Sequence, residues 1–146
     1  MANVIVVQKE DNSVSVIYTG ASRLSTDQIV ARRFANSSET YQVVDESALP
    51  AQSVLFDAWV YDATNGAVVD ISRAKNVAHN IRRYYRSEEM KPYDDIVAKQ
   101  IPGEDATDAE AQRALIRTKY ATKQTEIDAC TTAEQLKTII LGFEAV

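Results

Sequence analysis

The sequence predicts an α+β protein, a small antiparallel β domain with one short helix followed by a helical hairpin or bundle. Three observations predict it. β-branched runs fill the first 70 residues, the apolar period changes from two to about 3.6 at Ile71, and two capping-box patterns mark later helix starts. The expected domains are 1–70 and 71–146.

Val4–Val7 and Ser13–Thr19 are β-branched, and the second alternates Val14, Val16 and Tyr18. Lys9–Asn12 between them suits a turn, so the chain should open on a β-hairpin. Ser25 with Gln28 is a capping box, and Ile29, Val30 and Phe34 then sit at helical spacing, which predicts a helix over Thr26–Phe34. Thr40–Val44 reads as a third strand, and Leu49-Pro50 as the loop after it. Val54–Asp62 reads as an extended segment with Phe56, Ala58 and Val60 on one side. An Asn65-Gly66 turn, with positive φ at both residues, then leads into a strand at Ala67–Val69.

From Ser72 to Met90, Ala74, Val77, Ala78, Ile81 and Tyr84 or Tyr85 form a helical stripe that Pro92 should end, with one more turn over Asp94–Lys99. A break is expected at Ile101-Pro102-Gly103. Thr107 with Glu110 should open the next helix, with Ala109, Ile116, Tyr120 and Ile127 on its buried face. Thr131 with Glu134, or Thr132 with Gln135, should cap a last helix carrying Leu136, Ile139 and Ile140 and closed by Gly142. The two long helices should pack antiparallel.

Composition narrows the chemistry. One cysteine, Cys130, and one histidine, His79, are too few for a Cys/His metal site or an intramolecular disulfide, and no metal or cofactor is expected. His79 has no carboxylate at one-turn spacing, so nothing local would activate it as a base. The isolated glycines build neither a P-loop nor a dinucleotide fingerprint. The apolar start, Val4–Val7, is too short for a signal peptide or a membrane span, which predicts synthesis in a cytoplasm.

Net charge is −5, against coating of nucleic acid, and residues 1–72 hold nine acidic but only four basic side chains. The stretch from Arg73 to Arg86 has the opposite character. Arg82, Arg83 and Arg86 join Tyr84 and Tyr85 there without one carboxylate, a pattern suited to an acidic protein surface or phosphates, or to pairing within the chain. Phe56, Trp59 and Tyr61 form an aromatic cluster that reads first as core and second as a partner-binding patch.

The stretch YQVVDESALPAQSVLFDAWVYD, followed by GAVVDISRAKNVAHNIRRYYR, resembles a family of small uncharacterised tailed-bacteriophage proteins. That family shows Leu-Pro, Phe-x-x-Ala-Trp, a turn, Val-Asp and a Lys-Ala-x-x-x-x-His-x-x-x-Ile-Arg helix. Here the second motif is one residue shorter, Phe56-Asp57-Ala58-Trp59, and the helix reads Ala74-Lys75 through His79 to Ile81-Arg82. The end, Arg117 to Leu136, is similar to the helical tails of phage tail and fibre-assembly proteins. The resemblance covers roughly residues 41–140 and implies phage morphogenesis through contacts with tail, fibre or neck components. The expected role is a non-enzymatic homo-oligomeric virion protein, made in the host cytoplasm. The alternative is a tail-fibre assembly chaperone left out of the particle, and a nucleic-acid-binding regulator using Arg82, Arg83 and Arg86 is a third reading.

Overall fold

The computed structural model describes residues 2–99 and 106–144 and is α+β. The chain divides into two compact units, Met1–Ala74 and Lys75–Val146. The division falls just inside a helix, four residues beyond the expected boundary at 70.

In the first unit, β1 (Asn3–Gln8) lies between β2 (Val14–Tyr18) and β3 (Tyr41–Asp45), antiparallel to both. Its four-residue apolar run has a direct explanation: a central strand is covered on both faces, so alternation gives way to continuous burial. On one face Val4, Val6 and Val14 pack with Trp59 and Ala67. On the other, Ile5 and Val7 pack with Phe34, Ile29 and Val30 of α1 (Thr26–Phe34). The unit is thus three layers, with the helix and a second hairpin either side of one sheet. Burying each such Val or Ile contributes about 1.5–3 kcal/mol.

The predicted Ser25–Gln28 capping box is present in both directions. Thr19, a buried polar residue, is satisfied by the carbonyl of Asn3 at 2.6 Å and by the Thr26 hydroxyl at 3.1 Å, which ties the sheet to the start of α1.

The segment before Trp59 departs from expectation. Ser53–Ala58 forms 3₁₀ turns, and only β4 (Trp59–Asp62) is extended, pairing with β5 (Gly66–Val69). Phe56 and Ala58 therefore do not share a strand face with Val60. Leu55 and Ala58 are buried from the turn, because a 3₁₀ geometry replaces the period of two. The turn also differs in detail: Gly66 has φ of +82° while Asn65 does not enter the left-handed region. Asp62 accepts bonds from the amides of Thr64 and Asn65, so its carboxylate shapes the turn and Gly66 alone supplies the left-handed residue. Asn12, at φ of +67°, turns the first hairpin and accepts the Tyr61 amide at 3.0 Å, joining the two hairpins.

In the second unit, α2 (Ile71–Lys99, beginning in the first unit), α3 (Ala106–Ala129) and α4 (Ala133–Glu144) form a three-helix bundle. Asp70 caps α2 by accepting the Arg73 amide. α2 and α3 run antiparallel, since Lys75 and His79 meet Asp128, Glu89 meets Lys119 and Tyr120, and Asp94 meets Arg113. Ala109, Ile116, Tyr120 and Ile127 are all buried, as the spacing predicts, with Leu115 outside. Phe143 of α4 stacks on Tyr85 at 5.6 Å and on Tyr120 at 6.1 Å.

Two expected stops are absent. α2 continues through Pro92, with Met90 buried before it and the Asp94–Arg113 pair at 2.8 Å tying the stretch after it to α3. Gly142 lies inside α4, which runs on to Glu144 because Phe143 is needed in the core. α3 already includes Ala106, so Thr107 sits within its first turn rather than before it. Of the two alternatives for α4, Thr132 with Gln135 forms the cap, the Gln135 amide reaching the Thr132 hydroxyl at 3.2 Å. The break expected at Ile101-Pro102-Gly103 lies outside the described residues.

Candidate interaction surface

The eight residues singled out by sequence separate into core and surface. Trp59 is only 3% exposed, and its indole nitrogen donates to the Gln52 carbonyl at 3.3 Å, so it is a core anchor and not a contact. Tyr61 is half-buried against the same cluster. Phe56, 39% exposed, leans on Trp59 with ring centroids 5.0 Å apart and is the one member of that trio with a substantial free face.

On α2, Arg82 is 8% exposed and Tyr85 is half-buried against Phe143, whereas Arg83, Tyr84 and Arg86 face outward. Tyr84, 60% exposed, meets Tyr85 edge-on at 5.3 Å, so the exposed ring rests on one fixed by the bundle core. Arg83 donates to the Asn80 amide oxygen at 2.8 Å, which holds its guanidinium along the helix. Among the described residues no carboxylate lies within ion-pair distance of Arg82, Arg83 or Arg86. Burial pushes the Arg82 guanidinium below its ordinary value, the charges of Arg83 and Arg86 push the same way, and Asp128 opposes them. Like charges at this spacing cost a helix about 0.2–0.5 kcal/mol per pair. The arginines therefore crowd one another, with partial compensation from Asp128 at Arg82.

The pairing that sequence spacing missed comes from another helix. His79 Nε2 lies 2.8 Å from Asp128 Oδ1 of α3, and Arg82 Nε donates to His79 Nδ1 at 3.3 Å. Arginine can only donate, so Nδ1 is the acceptor and the ring proton sits on Nε2, directed at Asp128. Both ring nitrogens are thereby engaged within the fold, and Lys75 adds a bond to the Asp128 carbonyl at 2.8 Å. The group works as a staple between α2 and the end of α3. A contact at a sequence separation of 49 leaves no local signal from which to find it.

Cys130 is buried and donates to the Glu126 carbonyl at 3.2 Å. Burial pushes its thiol up, away from the reactive thiolate. Among the described residues no group of three or more His, Cys, Asp or Glu side chains could hold a metal ion, and no helix is long and apolar enough to cross a membrane.

No family model, no curated protein and no solved structure matches this chain.

Proposed function

We propose that this chain is a non-enzymatic structural protein of a tailed-bacteriophage virion, working in several copies through protein–protein contacts in the tail, baseplate, neck or fibre-attachment region. The residue patterns from Tyr41 to Leu136 supply the phage connection. The observation that carries the mode of action is the exposed side of α2 at Arg83, Tyr84 and Arg86, which presents a ring fixed from beneath and two cations that pair with no described carboxylate. Tyr and Arg concentrate binding energy at protein interfaces. Net charge of −5 disfavours broad contact with a phosphate backbone.

Deletion of the coding sequence from the phage tests this reading. Electron micrographs should then show particles lacking a tail or fibre substructure, with loss of infectivity. Particles of normal form and titre would overturn it.

Exposed Leu115 and Leu141 on the helical unit favour a second reading, an assembly chaperone that shields an apolar segment of nascent fibre. Co-expression should then raise the yield of soluble fibre, and an unchanged yield would count against it.

A further inference from the structure

We propose that Arg83 and Arg86 of one copy, neighbours one turn apart on α2, bind the β unit of a second copy at Phe56 and Asp57. This deepens the multi-copy reading above by naming both surfaces, and its test in solution is independent of where the protein sits in a virion. The partner is chosen by charge. Residues 1–74 carry nine carboxylates against five basic side chains, whereas Ile71–Ser87 carries five basic side chains and no acid.

Within the β unit the position is chosen by chemistry. Most carboxylates there are already occupied: Asp11, Asp45, Asp62 and Asp70 accept local backbone amides, and Glu39 pairs with Arg33. Asp57 is exposed, has no hydrogen-bond or ion-pair partner among the described residues, and follows Phe56, whose free face adjoins it in the chain. An acid beside an exposed aromatic ring is the complement of two exposed arginines one helical turn apart. One arginine can pair with the carboxylate while the other lies over the Phe56 ring.

Charge also restricts the symmetry. A two-fold contact of either surface with itself would set like charges face to face, which is unfavourable. The contact joins unlike patches, either reciprocally in a two-fold dimer or successively in a ring or a filament.

Sedimentation velocity of the full chain, with a complementation pair, tests this. At low salt the native chain should form a dimer or larger species and should dissociate as ionic strength rises from about 0.05 M to about 0.5 M. Arg83→Glu with Arg86→Glu, and separately Asp57→Lys, should each weaken self-association by at least about tenfold with helical ellipticity unchanged. Mixed together, the two variants should associate more strongly than either does alone, since Arg83 and Arg86 of one meet Asp57 of the other and the reversed charges complement each other in turn. Phe56→Ser is an uncharged second probe of the same patch and should weaken the native assembly. A monomer at every concentration at low salt, variants that assemble like the native chain, or a mixture that stays monomeric would each overturn the proposal.

Discussion

Tyr120→Phe isolates one buried polar contact of the bundle. Tyr120 is 2% exposed, and its hydroxyl donates to Glu89 Oε1 at 2.8 Å, an oxygen that also receives Lys119 Nζ at 2.7 Å. The substitution removes one donor while leaving the ring stacked on Phe143. A hydrogen bond to a charged group contributes about 1.5–3 kcal/mol. Glu89 is about one-third exposed and keeps Lys119, so the lower end applies, a loss of about 1.5 kcal/mol.

The pH dependence sharpens that test. Burial, then the bond to Glu89, holds the Tyr120 phenol well above its ordinary value of 10.0. Its contribution is therefore fully present below pH 10 and is lost as pH rises beyond it, where the unfolded chain gives up the proton and the folded chain keeps it. For Glu89, burial pushes the carboxyl up, but the bonds from Lys119 and Tyr120 more than offset this and bring it below 4.5. Its contribution is present above pH 4.5 and is lost as pH falls through the folded value. Urea unfolding followed by helical ellipticity should show the native chain ahead of the variant at about pH 7, with the gap narrowing toward about pH 11. An equal midpoint at neutral pH, or a gap that persists unchanged in alkali, would refute the reasoning.

Other substitutions probe separate parts of the fold. Trp59→Ala should cost about 3–5 kcal/mol in denaturant unfolding, and a change near zero would mean the ring is not core. Gly66→Ala would force a side chain at φ of +82° and bring Cβ to 2.9 Å from Val6 Cγ2, so a loss of about 2–4 kcal/mol is expected in thermal or urea melts. Asp128→Ala removes the acceptor of His79 at a site where Asp128 is largely exposed, and should cost only about 0.5–1 kcal/mol by urea titration. Pro92→Ala restores an amide donor within α2 and should raise the melting temperature by the equivalent of about 1–3 kcal/mol.

Local rules read well from this sequence where one element decides its own geometry. The Ser25 cap, the buried face of α3 and the first hairpin all follow from spacing within a single segment, which also narrows the last cap to Thr131 or Thr132. Pro92 and Gly142 mislead for the opposite reason: tertiary partners, Arg113 for one side and Phe143 for the other, outweigh the local cost of continuing a helix. Ser53–Ala58 is similarly opaque, because an apolar run fits a buried 3₁₀ turn as well as a strand. The arginine and tyrosine face was visible in the acid-free stretch before Glu88, but its division into buried Arg82 and exposed Arg83 and Arg86 needed the bundle. His79 with Asp128 was invisible, since the two residues come from different helices.

The measurement that bears most directly on the proposed virion role is quantitative mass spectrometry of gradient-purified particles from a phage carrying this coding sequence, with this chain counted against the major tail protein. A fixed copy number matching a ring or fibre symmetry is the predicted result. Absence from the particle, with abundance in the infected lysate, would contradict it.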